Sequence, residues 1–95
     1  MTAYAVIDVD ATDAAKAARY RELAGPSVER HGGRYLARGG ALHVLEGGWD
    51  PQRLVVIEFP SMADLEAFYR SPEYVPLITL RQSASTGDLW AMPGA

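Results

Sequence analysis

The segment RLVVIEF, residues 53–59, is the feature that most narrows the folds open to this chain. Its β-branched and aromatic residues mark a strand. Side chains alternate across a strand, so Val55, Ile57 and Phe59 share one face while Leu54, Val56 and Glu58 share the other. Both faces are therefore apolar. An antiparallel sheet with one face in water carries polar residues there, and an uncovered apolar patch of this kind is rare on a monomer. The strand predicts helices on one side and, on the other, a second copy of the chain packed sheet on sheet about a two-fold axis. Burying Leu54, Val56 and Val6 in that way would contribute up to about 1.5–3 kcal/mol each.

The remaining elements follow from periodicity and punctuation. YAVIDVD (4–10) reads as a strand with Ala5, Ile7 and Val9 on one face and Tyr4, Val6, Asp8 and Asp10 on the other. A helix then starts from Asp10 or Thr12 as its cap, with Asp13 adding favourable charge. Its buried stripe is Tyr20, Leu23, Ala24, Ser27 and Val28. Pro26 predicts a kink or break, and Gly32 after His31 a left-handed stop. RYLAR (34–38) is a second strand, bent by Gly39 and Gly40 and resuming as ALHVLE (41–46). GGWDPQ (47–52) is the turn that joins it to residues 53–59 as a hairpin. Ser61, with Asp64 three residues on, caps a helix whose stripe is Met62, Leu65, Phe68 and Tyr69. Ser71 and Pro72 open a second helical piece, EYVPLITLRQ, with Pro76 limiting its regularity. TGDLWAMPG (86–94) is the last strand. The order β-α-β-β-α-β over one domain, residues 1–95, is a ferredoxin-like α+β arrangement: a four-stranded antiparallel sheet, strands one and three central, helices on one face.

Composition removes several chemistries. There is no cysteine, so disulfides, thiolate nucleophiles and cysteine-based metal sites are excluded. Lys16 is the single lysine, in an Ala-rich helical stretch that reads as solvent-facing. The net charge of −3 comes without any basic stripe, so nucleic acid is not an expected partner. No apolar run is long enough to span a bilayer. The start, MTAYAVIDVD, lacks the basic and apolar regions of a signal peptide. The expectation is a soluble cytoplasmic protein with no membrane partner.

Three segments, YRELAGPSVERHGGRYLARGG, LEGGWDPQRLVVIEFPSM and FYRSPEYVPLITLRQ, resemble the domain-of-unknown-function family thirteen-thirty, in the dimeric α/β-barrel superfamily. The resemblance covers nearly the whole chain. It implies a ferredoxin-like subunit whose sheet packs on its twin to form a barrel. Relatives in the superfamily include cofactor-free oxygenases of aromatic polyketides, muconolactone-type isomerases, stress-response barrels and haem enzymes. The family has no general assigned activity, and fold alone does not choose among these chemistries.

Among the residues themselves, the glycine pairs of HGGRYLARGG do not make a phosphate loop. That loop runs strand, glycines, helix, and here the order is reversed with no G-K-[ST]. The barrel face is more informative. A hairpin closed around residues 47–52 sets His43 opposite Val56 and diagonal to Glu58, which shares its face with Leu54 and Val56. Tyr4 and Asp8 lie on the adjacent strand. A carboxylate in an apolar cavity has its pKa raised, which suits a general base. Glu58 is thus the candidate base, with Asp8 or His43 assisting and Arg38 or Arg81 steering a substrate oxygen. The structural alternative is an ion pair of Glu58 with Arg38 or Arg81. Tyr74 and Trp90 are further candidates for the substrate pocket, although tyrosines 69 and 74 also read as core. No metal-ligand spacing is present. The expected function is cofactor-independent acid–base chemistry on a small organic molecule (isomerase, cyclase or oxygenase type) within a homodimer. The alternative is a non-catalytic dimer that binds a small ligand or regulates a partner.

Overall fold

A computed structural model describes all residues, 1–95. The elements are β1 (Ala3–Ala11), α1 (Ala14–Arg30), β2 (Arg34–Arg38), β3 (Leu54–Phe59), α2 (Met62–Tyr69), α3 (Val75–Ala84) and β4 (Ser85–Pro93). The four strands form one antiparallel sheet in the order β2-β3-β1-β4. The two central strands are thus the first and third, as the sequence predicts, and the helical piece after Ser71 is a helix in its own right.

The alternation along RLVVIEF sorts the sheet. Val55, Ile57 and Phe59 are buried, and their β1 partners across the register, Ile7, Ala5 and Ala3, are buried with them. Leu65 and Phe68 of α2, Ala24 and Val28 of α1, and Tyr74 complete this core. The other face has no helix. It carries Tyr4, Val6, Leu54, Val56, Trp90 and Met92, with Trp90 45% and Met92 53% exposed.

Local signals account for most of the helix ends. Ser61 caps α2 by accepting from the Asp64 backbone N–H at 3.1 Å. For α1 the cap is Asp13, which accepts from the Lys16 backbone N–H at 3.0 Å; neither Asp10 nor Thr12 takes that role, because β1 runs on to Ala11. The helix continues through Pro26 to Arg30, and Gly32 follows with φ +78°. Leu23, expected in the buried stripe, is exposed. Pro76 lies in the first turn of α3, where a missing N–H costs nothing.

Two further local expectations are corrected. Residues 41–46 form no strand: the chain from Gly39 to Arg53 is a loop, with Leu42, Val44, Leu45 and Trp49 exposed. β3 is only six residues long and is already paired by β2 on one edge and β1 on the other, so residues 41–46 cannot extend the hairpin against it. His43 therefore lies in this loop and not opposite Val56. The second correction is a bulge between Tyr35 and Ala37, after which Arg38 pairs with Val55 and not with an open-face residue.

The core is tight where the chain leaves α1. A Cβ on Gly33 would come within 2.7 Å of Val28 Cγ1 and 2.8 Å of Phe59 Cε1. Gly33→Ala is expected to destabilise the fold by about 1–3 kcal/mol, whereas Gly25→Ala, in open space within α1, should raise stability by up to about 1 kcal/mol. Urea denaturation of the two variants checks both signs.

Candidate functional site

Small residues leave room between the helices and the sheet. Ala17 and Ala24 of α1 and Ala84 of α3 face the floor made by Ala5, Ile7, Val9, Val55, Ile57 and Leu89. The result is a cavity of about 270 Å³, near the lower bound of about 300 Å³ typical of small-molecule sites. Its walls are largely aromatic: Tyr20, Tyr35, Phe68, Tyr69 and Tyr74.

Polar groups enter this space at two places. At one, Arg81 donates from Nη1 to the Tyr74 hydroxyl at 3.0 Å, and that hydroxyl is 2.6 Å from the Tyr20 hydroxyl. Burial pushes the Tyr74 phenol far above its ordinary value, reinforced by Tyr20; at neutral pH it is a hydrogen-bond partner and not a base. At the other, Arg21, Arg38 and Arg53 stand at the rim. None of the four arginines takes part in the chain's ion pairs, which are Arg30 and His31 with Glu73, and Arg34 with Glu58. The single acidic residue in the lining, Asp10, is exposed.

The residues picked out from sequence divide between the two faces of the sheet. Arg38, Tyr74 and Arg81 come together around the cavity. Tyr4, Asp8, Glu58 and Trp90 lie on the open face. There Glu58 accepts from Arg34 Nε at 2.9 Å and from the Tyr4 hydroxyl at 3.2 Å. Its arginine partner is Arg34, not Arg38 or Arg81, because Arg34 stands directly across the register from it. Asp8 accepts from the Gln52 backbone N–H at 3.2 Å and so ties down the end of the 39–53 loop. His43 is in that loop, apart from both carboxylates' strands.

Sequence reasoning missed Tyr20, Tyr35, Arg21 and Arg53 as site residues. For Arg53 the signal was present, since it shares its parity with Val55 and Ile57. Arg38 was picked out, but for the open face beside Glu58; only the bulge turns its side chain to the helix side.

A phenol protonated in the fold but free to ionise in the unfolded chain stabilises the fold fully below about pH 10, its unfolded value. That contribution is lost as pH rises from there towards the folded value. Wild-type stability should therefore fall above pH 10, and Tyr74→Phe should flatten that fall. Chemical denaturation across alkaline pH, with tyrosinate absorbance followed in parallel, checks it.

Several solved structures resemble this fold. A protein of unknown function from Rhodopseudomonas palustris is 22% identical, covering 99% of this chain and 82% of that one, with a TM-score of 0.81. SnoaB, a cofactor-independent oxygenase from Streptomyces nogalater, is 14% identical over 99% of this chain and 93% of its own, with a TM-score of 0.65. A Dabb family protein with a ferredoxin-like fold from Mesorhizobium loti is 12% identical over 99% and 95%, with a TM-score of 0.66. At these identities the likeness is one of fold. No curated protein matches the sequence. A family model does match, across residues 2–95, and this chain belongs to the family of domains of unknown function known as DUF1330.

Proposed function

We propose that this protein is a small-molecule enzyme working without a cofactor, which stabilises the oxyanion of an enolisable or phenolic substrate in the helix-side cavity. The observation that carries this reading is the Arg81–Tyr74–Tyr20 chain, a cation and two phenols held in an apolar pocket with no carboxylate partner. Such donors, fixed in place and largely shielded from water, favour negative charge on an oxygen that reaches them. Isomerisation, cyclisation and oxygenation of an activated ring all pass through that kind of charge, with the substrate's proton released to solvent. The fold shared with SnoaB, itself a cofactor-independent oxygenase, supports the same class of chemistry. Glu58 and Asp8 are not assigned as bases in this reading: they lie across the sheet from the cavity and are held by Arg34, Tyr4 and Gln52.

A second reading is favoured by the same lining. Its one acidic residue is the exposed Asp10, and it contains no histidine. No side chain in the interior is suited to take a proton from carbon at neutral pH, which fits a non-catalytic binder. Anthrone, an aromatic ketone whose enol is a phenol, separates the two. An enzyme speeds exchange of its C10 protons with D2O, read by NMR, and Arg81→Gln slows the catalysed exchange by about 100-fold. A binder shifts anthrone's signals without speeding exchange.

The open face belongs to the proposal as the surface of a homodimer. Val6, Leu54, Val56, Trp90 and Met92 form an apolar centre, edged by the Arg34–Glu58 ion pair. A two-fold copy places that centre against itself with a polar edge around it. Sedimentation equilibrium at micromolar concentration should give twice the chain mass, and Val56→Asp should give a folded species of half that mass. A wild-type monomer would contradict the assignment.

A further inference from the structure

We infer that the substrate is an organic anion, a carboxylate on an apolar, ring-sized body, and that Arg21, Arg38 and Arg53 at the rim of the cavity hold its charged end. The inference rests on the helix-side cavity being the ligand site and adds the charge class of what enters it.

Three guanidinium groups arrive at one opening from three places in the chain: α1, the last residue of β2, and the residue just before β3. They have no carboxylate partner, although the chain holds 12 acidic residues and is negative overall. Asp10, the one acidic residue in the lining, is exposed and forms no ion pair with them. The rim is consequently a patch of unneutralised positive charge on an acidic protein. Burial, together with the charges of Arg21 and Arg38, holds Arg53 below its ordinary guanidinium value. Like charges held this close repel, and an anion between them removes that repulsion while accepting charge-assisted hydrogen bonds.

Two of the three are placed by specific local structure. Arg38 sits over the Tyr35 ring, its Cζ 3.5 Å from the centroid, so its guanidinium is packed in place before any ligand arrives. The bulge after Tyr35 is what brings it to this side of the sheet. Arg53 occupies space that only a glycine at position 39 leaves free: a Cβ there would lie 2.8 Å from Arg53 Cγ and 2.9 Å from its Cζ. Gly39 also has φ +70°, a conformation other residues rarely adopt. The floor below the rim is Ala5, Ile7, Val55 and Ile57, which gives an inorganic anion nothing to bury and a hydrocarbon ring a fitting surface. A planar carboxylate suits the paired donors of a guanidinium fork.

The test uses the full chain and two probes of one shape, 2-naphthoate and its neutral counterpart 2-naphthamide, titrated by calorimetry. 2-Naphthoate is expected to bind at least about tenfold more tightly. That preference should shrink with added sodium chloride, since exposed charges are screened. Arg53→Gln should abolish the preference and Arg53→Lys should keep most of it; Arg38→Gln provides a second, independent removal of rim charge. Equal binding of the two probes would overturn the anion inference while leaving the cavity as the ligand site. A preference that survives both glutamine variants would overturn it too, by placing charge recognition elsewhere. Binding of neither probe would overturn the inference together with the reading of the cavity. Inorganic phosphate binding as tightly as 2-naphthoate would overturn the requirement for an apolar body.

Discussion

The pairing of β1 with β3 is the constraint on which the rest of the structure depends. Ala3, Ala5 and Ile7 face Phe59, Ile57 and Val55 across an unbroken antiparallel register. A slip of β3 by one residue would turn over every one of its side chains relative to β1. It would put Glu58 under the helices and expose Phe59. Because the pairing is central in the sheet, it fixes which residues the helices cover and which face is left bare. The small side chains of β1 meet the larger ones of β3, and this contrast, extended by Ala17, Ala24 and Ala84 on the helices, leaves an apolar space where a tighter core would have closed it.

Electrostatics is arranged around that space in two layers. Inside, one guanidinium is tied to a buried phenol that stays protonated. At the rim, three more stand without carboxylates. The acidic groups of the sheet are spent on structure at the other face: Glu58 neutralises Arg34, and Asp8 anchors the loop after Gly39 through the Gln52 backbone. That loop joins the two rim residues, with Arg38 at its start and Arg53 at its end. The base of the loop is held by the Gly39 N–H donating to the Leu54 carbonyl at 2.8 Å. The same backbone that closes the sheet edge thereby sets the distance between two guanidinium groups.

Much of this was legible in the sequence. Strand parity at residues 53–59 and 4–10 correctly divided Val55, Ile57 and Phe59 from Leu54, Val56 and Glu58, and the Ser61 and Gly32 signals fixed helix ends. The site was less so, for physical reasons. The 41–46 segment has strand-like composition, but strand formation requires a partner edge, and both edges of β3 are occupied. Arg38 obeys simple alternation up to Tyr35 and departs from it at a bulge that leaves no local mark. The cavity arises from alanines that, in sequence, look like ordinary helix formers; only their placement opposite Ala5 and Ile7 makes them lining. Tyr20 and Tyr74 are 54 residues apart, and nothing short of the packed α1–α3 pair predicts that their hydroxyls meet.

The central claim is that a ligand binds on the helix side of the sheet. Neighbouring residues of β3 test it most directly, since they point in opposite directions from one backbone. In methyl-labelled protein titrated with 2-naphthoate, NMR should show shifts at Ile7, Val55, Ile57 and Leu89, with Val6, Leu54 and Val56 unmoved. Shifts concentrated at Val6, Leu54 and Val56, with the helix-side methyls silent, would contradict the account.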